Sequence, residues 1–210
     1  MREIKAQGFP TFPSVPWIDD LSYRIVGVTI APTMEYKFCP RCAHPLELRE
    51  AEEHHLRPVC PNCGLIVYLN PPLAAGVVAE RDGKILLVLR GENPGKGLWG
   101  LPAGFMEINE TVEQAARREC LEETGLNVDL GDLLGVWSYY HEVKQSAGVV
   151  VLYAARVTNG KMHAGSDSAD VKFFAPEEIP QVQLAFHTHR EAIARWREMQ
   201  VASPKSQRAR

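Results

Sequence analysis

Between Gly104 and Leu126 the chain reads GFMEINETVEQAARRECLEETGL, and few folds can carry that string. Thr111 followed by Gln114 has the form of a capping box, and Gly125, just past the last periodic residue, has the form of a helix stop. One helix is therefore expected over about residues 111–123. On it Val112, Ala115, Ala116 and Cys120 recur at helical intervals and can face a core, while Glu119, Glu122 and Glu123 stand at i, i+3 and i+4 on another face. Like charges so spaced cost roughly 0.2–0.5 kcal/mol per pair on an exposed helix, and more when partly buried. A hard divalent cation relieves the repulsion. Mg²⁺, or Mn²⁺ in its place, takes oxygen ligands, keeps several waters and shares its shell with substrate phosphates. Arg118 can pair with Glu110 or Glu122 and so hold the preceding loop against the helix.

Most Glu/Arg-rich helices are solvated, salt-bridged surfaces. Here seven positions are specified together: Gly104, Glu110, Arg118, Glu119, Glu122, Glu123 and Gly125. At ~6–7% usage each, a chance match is on the order of 10⁻⁸ per register, so the surface reading does not account for the whole pattern. The string resembles the Nudix box: Gly, five residues, Glu, seven residues, Arg-Glu, apolar, any, Glu-Glu, any, Gly, apolar. Cys120 stands where the family usually has Ile, Leu or Val, and a buried free cysteine behaves as a small hydrophobe. The run from Trp99 to Gly104 also resembles the family's approach to the box, with Ala103 in place of a commoner Gly.

The resemblance implies an α/β fold, an α/β/α sandwich with a mixed sheet, and an enzyme that splits a nucleoside diphosphate linked to another moiety. Water is then the nucleophile and divalent metals act as Lewis acids. Glu119 and Glu123 would be the principal metal ligands, Glu122 a further ligand or a base, and the carbonyl of Ala103 or Gly104 an extra ligand, with Arg118 completing the catalytic set. For the general base, Glu122 competes with Asp167 and Asp170 in the segment Gly165–Asp170. Either aspartate alone is more often a turn residue.

A second constellation lies upstream. Cys39-Pro-Arg-Cys42 and Cys60-Pro-Asn-Cys63 are CxxC pairs separated by 17 residues, within the spacing of a four-thiolate zinc site. Each pair can present two sulfurs from one tight knuckle. Gly64 supplies permissive backbone after the second, and Ala43 holds the equivalent place after the first. Disulfides are the competing reading, but no secretory signal accompanies the pairs. A structural zinc is expected, closed and non-catalytic because four thiolates leave no position for water.

Length and composition suit one ordinary domain with a small appendage: 210 residues, 45% apolar, net charge -3. Four divisions are expected: an N-terminal extension over 1–35, a small all-β zinc ribbon over 36–70, the Nudix domain over 71–200 and a tail over 201–210. Asn70-Pro71-Pro72 marks the second boundary. In the ribbon Leu46, Leu48, Val59, Leu65 and Val67 alternate as short strands do, and beyond it Asp82-Gly83 between two apolar runs is a hairpin signal. Further apolar runs lie near 126–137, 149–157 and 171–174, and a second helical pattern covers about 185–199 through Ala192, Ile193 and Trp196. No 18-residue apolar window occurs, so no membrane span is expected, and a cytoplasmic location follows.

Signals for the substrate are sparser. NADH pyrophosphatases share a ribbon before the box, but their Ser-Gln-Pro-Trp-Pro-Phe-Pro-type motif is absent from the region reading Gly135-Val-Trp-Ser-Tyr-Tyr-His, which demotes NADH and NAD-capped RNA. The ribbon, the Asn-Pro-Pro link and the Leu101–Phe105 approach resemble bacterial zinc-ribbon Nudix proteins and the plant FAD pyrophosphatase type. That resemblance implies a nucleotide-type small molecule such as FAD or ADP-ribose as substrate. Trp99, Trp137, Tyr139 and Tyr140 are candidates for stacking its rings, although core packing is the commoner use of such residues. One rival is a ligand sensor, or a ribbon that binds nucleic acid or protein. Sensors usually have damaged boxes, and from Tyr36 to Pro72 four basic residues meet four acidic ones, so no phosphate-tracking stripe is evident. A ribbon that only mediates contacts in a homodimer is a third reading.

Overall fold

Strand pairing in the larger part of the chain follows from two runs that are apolar at nearly every position and must be covered on both faces. The computed structural model describes residues 36–51, 55–141, 146–165, 167–179 and 182–202. The expected N-terminal extension and most of the expected tail lie outside them. The described residues divide into two compact units between Tyr68 and Leu69.

In the second unit β3 (Leu73–Arg81) and β4 (Lys84–Arg90) form an antiparallel hairpin. Its turn is Asp82-Gly83, with φ of 53° and 78°, the left-handed pair that a two-residue hairpin demands. Further on come β5 (Trp99–Gly100), β6 (Ala103–Phe105), helix α1 (Val112–Thr124), β7 (Leu126–His141), β8 (Ser146–Gly160), β9 (Ser168–Phe174) and helix α2 (His187–Ala202). The sheet order is β5-β4-β3-β8-β7, with β6 also on β3 and β9 also on β4. Among the described strands only β3 and β8 pair in parallel, so the sheet is mixed.

Alternation along the strands builds two cores. Ala75, Val77 and Ala79 of β3 and Leu86 and Val88 of β4 pack with Ala115, Ala116 and Cys120 of α1. The intervening Val78, Ile85 and Leu87 pack with Ala192, Ile193 and Trp196 of α2 on the other face. The result is an α/β/α sandwich. Along β7 the register shifts near Val128, Leu133 and Gly135. Val128 and Leu130 accordingly belong to the α1 layer, whereas Leu134, Trp137 and Tyr139 belong to the α2 layer.

In the first unit β1 (Glu47–Ala51) and β2 (His55–Val59) form a two-stranded antiparallel sheet. The two CxxC segments fold as near copies. Ala43 N–H donates to Cys39 O and Cys39 N–H to His44 O, both at 2.8 Å; Gly64 N–H donates to Cys60 O at 2.9 Å and Cys60 N–H to Leu65 O at 2.8 Å. Each knuckle turns through a left-handed residue, Gly64 at φ 71° and Ala43 at φ 57°. Leu48 departs from the expected pattern, being 40% exposed on β1. Leu65 and Val67 flank Ile66, which makes an isolated antiparallel bridge to Val59, and pack against Cys39, Leu46 and Cys60 without forming a longer strand.

Candidate active site

Helix α1 begins as its sequence requires. Thr111 is the N-cap and its side chain accepts from Gln114 N–H, while Gln114 Oε1 accepts from Thr111 N–H at 2.7 Å. Gly125 ends the helix at φ 71°. Its missing side chain has a second use, since a Cβ there would lie 2.2 Å from His163 Nδ1 and 2.4 Å from Lys161 O. Residues 161–165 can thus lie across the helix end, where His163 N–H donates to Thr124 O at 3.0 Å and Gly165 N–H to Glu123 O at 3.1 Å.

Arg118 is the hub of the preceding loop. Nε and Nη2 donate to the two carboxylate oxygens of Glu110 at 3.0 and 2.6 Å, Nη2 also donates to Phe105 O at 2.9 Å, and Nη1 reaches Glu119 at 2.7 Å and Glu122 at 2.9 Å. One guanidinium therefore ties the loop carboxylate, the loop backbone and two helix carboxylates together. The Arg118 side chain holds the Glu110 carboxyl below its ordinary range.

The three helix carboxylates meet different neighbours. Glu119 lies against Gly104, so closely that a Cβ on residue 104 would sit 2.3 Å from its carboxylate. Glu123, 5% exposed, accepts Ala103 N–H at 3.1 Å, and the Glu122 side chain is half exposed. Burial raises the Glu119 carboxyl against the pull of Arg118, and burial raises Glu123 to about 8, with Asp167 and Glu119 adding to the effect. An oxygen-only set of mutually repelling carboxylates beside the Ala103–Gly104 turn, Glu123 buried, Glu119 partly buried and Glu122 half exposed, suits a hard divalent cation.

Asp167 acts electrostatically on both Glu119 and Glu123, whereas Asp170 lies within β9 opposite Leu89 and uses Oδ1 to accept Val171 N–H at 2.8 Å. Two glycines make room for the Asp167 segment. A Cβ on Gly91 would lie 2.5 Å from Asp167 O, and one on Gly165 would lie 2.3 Å from Glu122 O. Nothing in the sequence around Gly91 or Gly165 signals this docking.

The aromatic candidates divide. Trp99 meets Phe174 edge-on at 4.8 Å, and Trp99, Trp137 and Tyr139 all pack against the α2-side core. Trp137 and Tyr139 also cover neighbouring glycines: a Cβ on Gly135 or Gly148 would run into their rings. Tyr140 is 47% exposed and points to the opposite face of β7.

In the ribbon the sulfurs of Cys39, Cys42, Cys60 and Cys63 all lie within 4.8 Å of one another, with Cys39–Cys63 at 3.6 Å and Cys42–Cys60 at 3.5 Å. Tetrahedral zinc with Zn–S bonds of about 2.3 Å needs sulfurs roughly 3.8 Å apart, so the four thiols fit that ion. The backbone N–H of His44 and the amide of Asn62 lower the Cys42 thiol to about 6, whereas, against the Leu65 N–H, desolvation and the neighbouring thiols push Cys63 up to about 11.

The NUDIX domain family model matches residues 70–196, more than half of the chain. The chain belongs to the Nudix family of hydrolases. The Nudix N-terminal zinc-ribbon model matches residues 37–69 ahead of it. Among Nudix relatives, an ADP-ribose pyrophosphatase of Methanocaldococcus jannaschii is 36% identical over 131 residues, 62% of this chain and 78% of that protein. An NAD-capped RNA hydrolase of Haemophilus influenzae is 36% identical over 97 residues, 44% of this chain and 35% of its own length. A solved Nudix hydrolase from Nitrosomonas europaea is 35% identical with a TM-score of 0.73, covering 80% of this chain and 94% of that one. Among the described residues no helix is long and apolar enough to cross a membrane.

Proposed function

We propose that this Nudix protein hydrolyses the pyrophosphate bond of a nucleoside diphosphate joined to a second moiety, with ADP-ribose as the first substrate and FAD as the second. The observation that carries the reading is the packing of Glu123, 5% exposed, and of Glu119, whose side chain is 13% exposed, against the Ala103–Gly104 turn. Two largely buried carboxylates beside the backbone of that turn suit a hard cation that shares its shell with phosphate oxygens. The ADP-ribose preference is supported by the Methanocaldococcus relative, most of whose length this chain spans.

Glu119, Glu123 and the Ala103 or Gly104 carbonyl would hold Mg²⁺ or Mn²⁺, with Glu122 as a further oxygen. When bound, the cation supplies Lewis-acid charge neutralisation at the diphosphate and helps activate the attacking water. Hydrolysis adds the water oxygen to one phosphorus and breaks the bridging P–O bond, so ADP-ribose gives AMP and ribose 5-phosphate. Asp167 or Glu122 accepts the proton. The electrostatic reach of Asp167 to both buried carboxylates supports it over Asp170. Arg118 binds no substrate in this scheme; it keeps Glu119 and the loop in place. The four cysteines would hold a structural zinc.

The test is turnover of ADP-ribose, FAD, NADH, diadenosine polyphosphates and dNTPs with Mg²⁺ and with Mn²⁺, products being identified. AMP and ribose 5-phosphate from ADP-ribose, lost in Glu119→Gln and Glu123→Gln, are expected. Turnover unchanged in both variants would remove the assigned site. Salt-dependent RNA binding without phosphate-ester products would favour a binding module instead.

A further inference from the structure

The turn that presents Ala103 and Gly104 is secured from the layer opposite α1. Trp99 N–H donates to Gln183 O at 2.9 Å and Ala185 N–H donates to Trp99 O at 2.8 Å, so the segment entering α2 runs beside β5. Pro102 O accepts Val77 N–H at 3.1 Å, and Ala103 and Gly104 pair with Gly76 and Ala75. Between these anchors lies Leu101, 2% exposed, whose N–H finds its acceptor on α2: His189 Nδ1 at 3.0 Å.

We propose that His189 is a positioning residue for this turn, its Nδ1–Leu101 bond setting the register at which Ala103 and Gly104 face Glu123 and Glu119. The inference rests on the reading of that turn as part of the cation site. The ring is itself held on several sides. It is 5% exposed, abuts Gly100, where a Cβ would lie 3.3 Å from Nδ1, and meets Phe186 edge-on at 5.0 Å. Phe186 in turn carries the Arg90 guanidinium 5.1 Å from its centroid. Desolvation, aided by Arg90 and His187, keeps the imidazole neutral, so Nδ1 retains the lone pair that Leu101 needs. Without that acceptor Leu101 N–H would be a buried donor with no partner, and the turn would shift to satisfy it.

Asparagine places an oxygen where Nδ1 sits, glutamine places one where Nε2 sits, and leucine places none. Binding of Mn²⁺ to the zinc-loaded full chain, followed by the paramagnetic resonance of free Mn²⁺, separates them. His189→Asn is expected to bind within about threefold of wild type, His189→Gln and His189→Leu at least tenfold more weakly. Both weak variants are expected to regain most of kcat at saturating Mg²⁺, a split that loss of fold would not give. Equal Mn²⁺ affinity in Asn and Gln variants would overturn the inference even if His189→Leu did not fold. A wild-type protein whose Mn²⁺ binding is indifferent to Glu119→Gln and Glu123→Gln would overturn the cation site itself, a different result.

Discussion

The carboxylate of Glu119 fills the space beside the α-carbon of Gly104: a Cβ at residue 104 would lie 2.3 Å from Glu119 Cδ and Oε1 and 2.4 Å from Oε2. Glu119 cannot simply swing aside, because Arg118 Nη1 holds Oε1 at 2.7 Å while also holding Glu122. Gly104→Ala is therefore expected to displace a carboxylate essential to the proposed chemistry. Overpacking of this kind costs about 1–3 kcal/mol. Turnover should fall at least tenfold while circular dichroism stays native, as steady-state assays at saturating Mg²⁺ would show. A variant with wild-type kcat would mean that Glu119 does not work from this position.

Asp167 and Asp170 are three residues apart, yet one acts on the buried carboxylates and the other is spent within β9. Loss of a general base typically costs 10²–10⁴ in rate. Asp167→Asn is expected in that range for kcat, and Asp170→Asn close to wild type. Gly91→Ala should shift kcat in the same direction as Asp167→Asn, since its Cβ would press on Asp167 O at 2.5 Å. The reverse ranking of the two aspartates would transfer the role to Asp170, and no effect of either would leave Glu122.

What could be read in advance is what short-range chemistry dictates. The Thr111–Gln114 box, the Gly125 stop and the Asp82-Gly83 turn each specify backbone angles within a few residues, and each is found as read. Pairings across the sheet were not legible. Leu101 and His189 are 88 residues apart, and a histidine on an amphipathic helix carries no sign that its Nδ1 serves a distant turn. The faces of Trp137 and Tyr139 depend on irregularities in β7 near Leu133 and Gly135, and a one-residue slip reverses every side chain beyond it. Leu48 alternates as a strand residue should, but alternation does not reveal that it stands 40% exposed.

Ala43 occupies at φ 57° the place that Gly64 occupies at φ 71° in the other knuckle. An L side chain pays roughly 1–2 kcal/mol in the left-handed region, offset in part by the greater freedom of glycine in the unfolded chain. Ala43→Gly is expected to stabilise the zinc-loaded ribbon by up to about 1 kcal/mol, and Gly64→Ala to destabilise it by a similar amount. Zinc transfer to a chromophoric chelator measures both, as slower and faster release respectively. Because the apolar cluster of the described ribbon residues is small, Cys39, Leu46 and Cys60 with Cys63, Leu65 and Val67 packed against them, complete removal of zinc should unfold it. Retained amide protection over residues 37–69 after chelation would disprove the structural role.

Two buried groups give the metal-free protein opposing pH dependences. Desolvation, with Arg90 and His187, lowers His189 from 6.5 to about 3, so between those values the unfolded chain holds a proton that the native chain lacks. Stability is then lost as pH falls from 6.5 towards 3. Burial raises Glu123 from 4.5 to about 8, against the Ala103 N–H and Arg90 and together with Asp167 and Glu119, so there the native chain holds the extra proton. That contribution is full below 4.5 and is lost as pH rises through 8, and Glu119, also raised by burial, adds to it. Between about 4.5 and 6.5 the His189 and Glu123 slopes oppose one another, each being about 1.4 kcal/mol per pH unit at full strength, and Glu119 leaves a shallow net decline. A broad maximum with a steeper falling limb on either side is expected in urea midpoints measured in Mg²⁺-free buffer. His189→Asn should flatten the acid limb and Glu123→Gln the alkaline one, and Mg²⁺, by displacing the proton from Glu123, should lift the alkaline limb of the wild type. An alkaline limb of unchanged slope in Glu123→Gln would assign it to another group and leave Glu123 ionised in the native state.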